Sequence, residues 1–148
     1  LTYGCLLRPH REIRELRWGD FSDDISHIYL SGKRNKSKKN RIVPVPKFIT
    51  KELIPNRQDL NIFSNRAKPF NISYFKTIWY KYKIQSNLIE ENQTLYSFRH
   101  SGATDIFKRT GSIRKLQAAL GHSSMEVSLI YLRNLEICEL KKEDMPEL

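Results

Sequence analysis

The sequence predicts an α+β domain that is mainly helical, with a small antiparallel β-hairpin at one edge. Apolar residues recur at helical spacing through the second half of the chain. Two short apolar runs near the front flank one turn, which is typical of a hairpin. The 148 residues are the size of one domain, so we expect these elements to share one fold.

The first half of the chain contains the predicted hairpin. A short helical turn over residues 12–18 precedes strands at 25–30 and 41–45, and residues 32–40 form the connecting turn. Pro44 indicates an edge or the end of a strand, because proline cannot donate a ladder hydrogen bond. Six basic residues lie in or beside the turn: Lys33, Arg34, Lys36, Lys38, Lys39 and Arg41. The hairpin is therefore predicted to have a basic tip.

An aromatic helix is predicted after the hairpin. Residues 46–53 form a short helix, and 55–69 are mostly loop with a possible short strand at 61–63. Residues 72–84 carry apolar side chains at helical spacing, which we interpret as core packing. These side chains are Tyr74, Phe75, Ile78, Trp79 and Tyr82.

Capping signals bound the helices that follow. A serine or threonine precedes the first turn of each of two helices and a glycine follows the last turn. The pairs are Thr94 with Gly111, and Ser112 with Gly121. Residues 123–126 predict a capping box for a last short helix, and Tyr131 lies on this helix or just beyond it.

Charge and composition indicate the class of partner. The net charge is +10, and a basic surplus of this size favours a polyanion, of which nucleic acid is the commonest. From residue 134 onward acids outnumber lysines, which suggests a separate tail. Cys5 and Cys138 show no metal-ligand spacing, so we expect reduced thiols in a cytoplasmic protein and no cofactor. No apolar run approaches the ~18 residues of a membrane span.

Four separated residues are weak signals singly but informative together. Arg8 lies in Leu-Leu-Arg-Pro, Arg99 precedes His100, His122 follows Leu-Gly, and Tyr131 comes nine residues later. With the basic hairpin between the arginines, this order and spacing resemble the tyrosine recombinase family, the phage-integrase-type enzymes that cut and rejoin DNA. The resemblance extends from Arg8 to Tyr131 and covers most of the chain.

The resemblance implies a role for each of these residues. Tyr131 resembles the nucleophile that attacks a scissile phosphate and leaves a 3′-phosphotyrosine. Arg8, Arg99 and His122 resemble the groups that hold the nonbridging oxygens, a task that suits the permanently charged fork of arginine. The leaving 5′ oxygen needs a proton, and in the family a hairpin lysine supplies it.

The hairpin offers two candidates for this general acid. Spacing to the following Val43-Pro44 selects Lys36, and Lys33 is the alternative. The other basic residues of the tip are expected to contact DNA phosphates without reading sequence. These predicted phosphate contacts are Lys33, Arg34, Lys38 and Lys39.

Two departures from the family pattern affect the assignment. Tyr96 occupies the position, three residues before Arg99, where the family usually has histidine. A phenol can hydrogen-bond a phosphate but is a poor base near neutral pH, so His122 is the better acceptor for the proton of Tyr131. His100 is expected to support the site without touching the reacting atoms.

The second departure lies in the first box. Glu12 follows Arg8 by four residues rather than three, and Arg11 stands in the expected place of the glutamate. One residue is therefore inserted into this turn. Arg8 is preferred as the first catalytic arginine and Arg11 is the alternative, with Glu12 or Glu15 orienting either one.

The predicted function is site-specific DNA recombination. Residues 1–134 would form an N-terminally truncated catalytic domain, and residues 135–148 a tail that packs on a neighbouring protomer. The expected partners are double-stranded DNA and further copies of the protein in a tetramer, in a bacterial, nucleoid-associated setting. The alternative is a catalytically inactive DNA-binding module of the same fold. A type IB topoisomerase is disfavoured by the Leu-Gly-His box and the short spacing.

Overall fold

The computed structural model describes residues 1–34, 39–133 and residue 135, and its elements follow the predicted order. The strands are β1 (His27–Leu30) and β2 (Arg41–Pro44), and the helices are α1 (Lys47–Thr50), α2 (Tyr74–Gln85), α3 (Leu95–Thr110), α4 (Ile113–Leu120) and α5 (Met125–Leu129). The prediction of a mainly helical α+β fold with a small antiparallel hairpin is confirmed. None of the helices in the described ranges has the length and apolar character that crossing a membrane requires.

The hairpin presents one face to the core. β1 and β2 pair antiparallel, with His27 opposite Pro44 and Leu30 opposite Arg41. Side chains alternate between the two faces, so Leu30 and Val43 are buried whereas Ile42 is exposed. Pro44 lies at the end of β2, as its missing N–H predicts.

The segment that carries Arg8 and Glu12 forms a π-helical turn, Pro9–Ile13, in place of the predicted helix over 12–18. The amide of Ile13 donates to the carbonyl of Arg8 at 3.0 Å, a five-residue step that accommodates one more residue than an α-turn. The inserted residue is thereby absorbed, and the Glu12 carboxylate still reaches back to Arg8.

Two packed clusters position the site. One lies under the hairpin and the front of the chain, and the other is formed by Leu6, Ala103, Leu116 and Leu120. At Gly102 an added Cβ would overlap the carbonyl oxygen of Tyr3, so α3 lies directly on the N-terminal segment. This close approach brings Arg8 and Arg99 to the same side of the domain.

Most of the predicted caps form. The Thr94 hydroxyl accepts a hydrogen bond from the Tyr96 amide, and Ser112 accepts one from Lys115. Gly111 and Gly121 adopt left-handed backbone angles with φ of 59° and 66°. The predicted capping box at 123–126 is wrong: α5 follows Ser124, whose side chain makes no cap hydrogen bond.

The interpretation of α2 as a core helix is wrong. None of its residues is buried, and Ile78, Tyr80 and Tyr82 are 46%, 64% and 49% exposed. Phe75 is the α2 side chain that packs against the core. The other partly buried residues of α2 are Tyr74, Trp79 and Lys83, and the rest are exposed.

Two shorter predictions also need correction. The helix predicted over residues 46–53 is a single turn, α1. The possible strand at 61–63 reduces to one bridge between Arg17 and Asn61. The buried amide of Asn61 donates to the carbonyl oxygens of Arg14 and Leu16, which ties the loop to the π-turn segment instead.

Candidate active site

Arg99 lies at the centre of the candidate site. Its side chain is 0% exposed, and Nη2 donates to the carbonyl oxygen of Leu120 at 2.7 Å. Nε lies 3.4 Å from the hydroxyl oxygen of Tyr131. Its remaining nitrogen, Nη1, is buried and has no hydrogen-bond partner among the described residues. One guanidinium thus faces the predicted nucleophile and retains an unused donor.

Arg8 is held by the buried carboxylate of Glu12. The Arg8 amide donates to Oε2 at 2.8 Å, and Nη1 pairs with Oε1 at 2.6 Å. Arg11, the alternative first arginine, is exposed. The structure therefore places Arg8 rather than Arg11 with Glu12, and Glu15 pairs with Arg14 instead.

Arg41 is a third arginine in the cluster, and sequence analysis missed it. Its Nη2 pairs with Glu12 Oε2 at 3.1 Å, and Nη1 donates to the carbonyl oxygen of Ala119 at 3.2 Å. One signal was available in the sequence. Arg41 is two residues before the apolar Val43, so the period of two places both on the inward face of the strand. Because Arg41 follows a run of basic residues at the hairpin tip, it was grouped with them and its inward position was overlooked.

His122 begins the segment after α4. Gly121 turns the chain with its left-handed conformation, and His122 Nδ1 then lies 3.1 Å from the Ser128 hydroxyl. Burial first, and then the positive charges of Arg99, Arg8 and Arg41, lower the pKa of His122 to about 4. His122 is therefore neutral at neutral pH, the form that can accept a proton.

Tyr131 lies on the 3₁₀ turn Ile130–Leu132 and is half-buried, not sealed in the core. Its ring stacks on His100, with 4.2 Å between centroids, and lies 5.4 Å from the ring of His122. A surface cavity of about 630 Å³ opens beside it. The hydroxyl is thus held by Arg99 while the ring borders an open surface.

Tyr96 stands apart from this cluster. Its ring lies 5.9 Å from that of His10, on the π-turn, and its hydroxyl makes no hydrogen bond to another candidate residue in the described ranges. Burial, and secondarily the charge of Lys76, lower the pKa of His10. The structure therefore pairs Tyr96 with His10 and brings neither of them onto Tyr131.

The hairpin tip is described in part. Lys33 and Lys39 are exposed, and the backbone of Arg34 belongs to a 3₁₀ turn. Lys36 and Lys38 lie outside the described residues, so the choice between Lys36 and Lys33 stays a prediction. A cavity of about 390 Å³ separates the start of β2 from α4, lined in part by Lys39, Arg41, Arg114 and His122.

The cluster carries an excess of positive charge. Three guanidiniums, those of Arg8, Arg41 and Arg99, surround the single carboxylate of Glu12, which leaves two positive charges while His122 is neutral. Guanidinium donors in a partly buried site suit the oxygens of a phosphate group. In the ranges 1–34 and 39–133, no group of three or more His, Cys, Asp or Glu side chains is arranged to hold a metal ion.

Known proteins share both the sequence and the fold. The model of the phage integrase family matches residues 1–137. The tyrosine recombinase XerA of Thermococcus kodakarensis is 30% identical over 140 residues, which cover 90% of this chain and 48% of the relative. The chain thus spans about half the length of this curated relative.

Solved structures of related proteins have the same fold. The Tn1549 transposon integrase, in complex with a circular intermediate DNA, superimposes with a TM-score of 0.68 at 16% identity, over 97% of this chain and 54% of that one. The XerH site-specific recombinase bound to its difH substrate gives 0.64 at 22% identity, over 96% and 42%. These two likenesses show the fold. By its sequence and its architecture, the chain belongs to the phage integrase family, as a tyrosine recombinase catalytic domain.

Proposed function

We propose that this chain is the catalytic part of a site-specific recombinase, which cleaves and rejoins DNA strands through a 3′-phosphotyrosyl intermediate on Tyr131. The observation that carries the proposal is the contact of 3.4 Å between the Tyr131 hydroxyl and Arg99, whose Nη1 is a buried donor without a partner in the described part of the chain. An unsatisfied buried donor costs about 1–3 kcal/mol. A nonbridging phosphate oxygen beside Tyr131 would satisfy it.

The surrounding charges favour the same ligand. Arg8 and Arg99 supply fixed cations, and the cluster as a whole has two positive charges in excess. A phosphodiester gains negative charge on its equatorial oxygens as phosphorus becomes pentavalent, and preorganised donors stabilise that charge. Arg8 and Arg99 would hold these oxygens, and His122 would join them as a donor once it has accepted the proton of Tyr131.

The reaction then proceeds as a pair of exchanges at phosphorus. The Tyr131 oxygen forms a bond to phosphorus, the bond to the 5′ oxygen breaks, and neutral His122 accepts the tyrosyl proton. Lys36, or Lys33 in the alternative, donates a proton to the departing 5′ oxygen. Rejoining is the reverse: a 5′ hydroxyl attacks the phosphotyrosine and releases Tyr131.

We also propose that the reaction needs no metal ion. Arg8 and Arg99 place permanent positive charge where two-metal nucleases place cations. Cleavage is expected to persist at an undiminished rate in EDTA. A rate that falls with chelation and returns with added Mg²⁺ would contradict this part of the proposal.

The assembly is proposed to be a tetramer on two DNA duplexes, in the nucleoid of a bacterial cell. Residues 1–134 would be the catalytic unit of a longer protein, and residues 135–148 would pack on a neighbouring copy. Exposed apolar side chains on α5 and the turn beyond it support self-association at this end, among them Val127, Leu129 and Ile130. Native mass spectrometry of the protein on its DNA tests the stoichiometry.

A suicide DNA substrate tests the nucleophile. A nick that lets the cleaved strand dissociate traps the covalent adduct, and peptide mapping identifies the modified residue. We expect Tyr131, with loss of the adduct in Tyr131→Phe and its retention in Tyr82→Phe, a matched change on exposed α2. An adduct on another residue, or one that persists in Tyr131→Phe, would disprove the assignment.

One observation favours a second function, a DNA-binding module without catalysis. Tyr96 replaces the usual histidine and pairs with His10, away from Tyr131. The same substrate separates the two functions. Tight, salt-sensitive binding without any adduct would support the binding module, because phosphate contacts release counterions whether or not chemistry follows.

A further inference from the structure

We propose that Arg41 is a positioning residue for strand cleavage, which holds Glu12 and the end of α4 together so that Arg8 and His122 face the same phosphate. This inference rests on the proposed function. Arg41 was grouped with the basic hairpin tip, yet its side chain is 8% exposed and belongs to the interior of the site.

Arg41 and Arg8 share one carboxylate. Arg41 Nη2 lies 3.1 Å from Oε2 of Glu12, and Arg8 Nη1 lies 2.6 Å from Oε1. The Glu12 side chain is 1% exposed, so water has little access to these ion pairs. Movement of the Arg41 guanidinium would therefore remove one of the two hydrogen bonds to Oε2, whose other donor is the Arg8 amide.

Arg41 also holds the end of α4. The last carbonyls of a helix have no partner within the helix and carry partial negative charge. Arg41 Nη1 donates to the carbonyl of Ala119, and Arg99 Nη2 donates to that of Leu120. Two guanidiniums, from β2 and from α3, thus hold successive carbonyls just before the segment that presents His122.

Gly121 permits this arrangement. An added Cβ there would lie 2.5 Å from Arg41 Nη1, and the φ of +66° already disfavours other residues. The guanidinium therefore lies against the backbone turn between α4 and His122. Gly121 does more than end the helix, since it leaves room for Arg41.

The contacts indicate positioning rather than phosphate binding. Both terminal nitrogens of Arg41 donate to protein acceptors in two different elements, which is what positioning requires. Its Nε is buried and, like Nη1 of Arg99, has no partner among the described residues. Lysine cannot reproduce the arrangement, because its single ammonium lacks the planar fork that spans two acceptors in different elements. Positive charge at this position is thus insufficient without the shape of arginine.

The test uses the full-length protein and two suicide substrates, one ordinary and one with sulfur in place of the 5′ bridging oxygen. A thiolate leaves without a proton, so defects on the general-acid side disappear with sulfur. Arg41→Lys and Arg41→Gln are compared with Arg57→Gln, an exposed arginine paired with Asp59. Single-turnover cleavage at saturating DNA and the Kd for DNA are measured.

We expect both Arg41 variants to cleave at least about tenfold more slowly than wild type, by the same factor on both substrates, with Kd changed less than about threefold. Arg57→Gln should cleave at the wild-type rate. Either of two outcomes would overturn the proposal: wild-type cleavage by Arg41→Lys, or sulfur restoring the rate of the variants. The first would show that charge suffices, and the second that Arg41 acts through the leaving group.

A double variant that combines Arg41→Lys with Glu12→Gln provides an independent check. Arg41→Lys is used because it retains the length and the charge of the side chain. If Arg41 acts through Glu12, the double variant cleaves no more slowly than the slower single variant. Fully multiplicative losses would contradict that coupling. Failure of the proposed function itself is distinguishable, because wild type would then form no adduct on either substrate.

Discussion

Around Arg99, charged side chains are buried, whereas along α2 aromatic side chains are exposed. Arg99 is 0% exposed and the Glu12 side chain 1%, while Tyr80 is 64% exposed. Both patterns reverse the ordinary preference of these residue types. In this domain, the burial of a side chain depends on how many elements pack around it and not on its polarity alone.

The reason for the difference is the number of elements that meet at each place. The N-terminal segment, β2, α3 and α4 converge on Arg99 and Glu12, and each charge there has an opposite charge or a backbone carbonyl within reach. Helix α2 meets the rest of the domain along one side, through contacts such as the edge of Trp79 on Phe98. A buried charge is stable only when it is paired, and the convergence supplies the pairs.

The largest expected effect is on catalysis at the buried cluster. Arg99→Gln removes the guanidinium that contacts Tyr131, so single-turnover cleavage of a suicide substrate should fall about 10²–10³-fold. Arg57→Gln, on the exposed surface, serves as the control. A rate within about tenfold of wild type would mean that Arg99 is not a principal stabiliser of the transition state.

The core beneath the cluster should govern stability. Leu116→Ala deletes a fully buried side chain of α4, and we expect the free energy of unfolding to fall by about 2–5 kcal/mol. Urea denaturation followed by circular dichroism measures it. A loss below about 1 kcal/mol would show that α4 is loosely packed, which the burial of Leu120 beside it argues against.

The matched change on α2 should have a much smaller effect. Ile78→Ala removes a side chain that is 46% exposed, so the free energy of unfolding should change by about 0.5 kcal/mol or less. The same denaturation experiment compares it with Leu116→Ala. An equal loss for both variants would abolish the distinction between the two regions.

The smallest expected effect is the pH dependence that comes from His122. Its pKa is about 4 in the folded protein, below the usual value near 6.5, because of burial and the neighbouring guanidiniums. Between these values the unfolded chain binds more protons, so folding stability falls as pH drops from about 6.5 towards 4. The effect is small because His122 is half-exposed, where solvent weakens electrostatic interactions.

Nuclear magnetic resonance of the imidazole measures this titration directly. We expect a midpoint well below that of an exposed histidine in the free protein. His122→Asn should also narrow the stability gap to wild type as pH falls, since the variant lacks the titrating group. An imidazole midpoint at or above the usual value near 6.5 would contradict the lowering of the His122 pKa by burial and the neighbouring guanidiniums.

Capping residues and glycines, whose preferences are stereochemical, predicted the ends of α3 and α4 correctly. The caps at Thr94 and Ser112 and the left-handed glycines at 111 and 121 form as expected, because such preferences act within one turn. The apolar stripe of α2 led to the wrong prediction that this helix is buried. A stripe indicates which side of a helix is apolar, but not whether another element packs on that side.

The site divides in the same way. Arg8, Arg99, His122 and Tyr131 were predicted from order and spacing, and the structure brings their side chains into one cluster. Arg41 was missed, and the place of the Tyr96 ring beside His10 could not be read from the sequence either, while its role at a phosphate stays a prediction. Both points concern which neighbour a side chain meets across the fold.

By itself, the sequence determined the fold class and the ends of α3 and α4, and it predicted a set of residues for handling a phosphate. Those properties depend on local backbone preferences and on side-chain chemistry, which each residue type and its near neighbours in the chain determine. The tertiary structure alone decided that Glu12 is shared by two arginines and that α4 ends against a third. Such pairings depend on the distance between groups far apart in the chain, and only packing determines that distance.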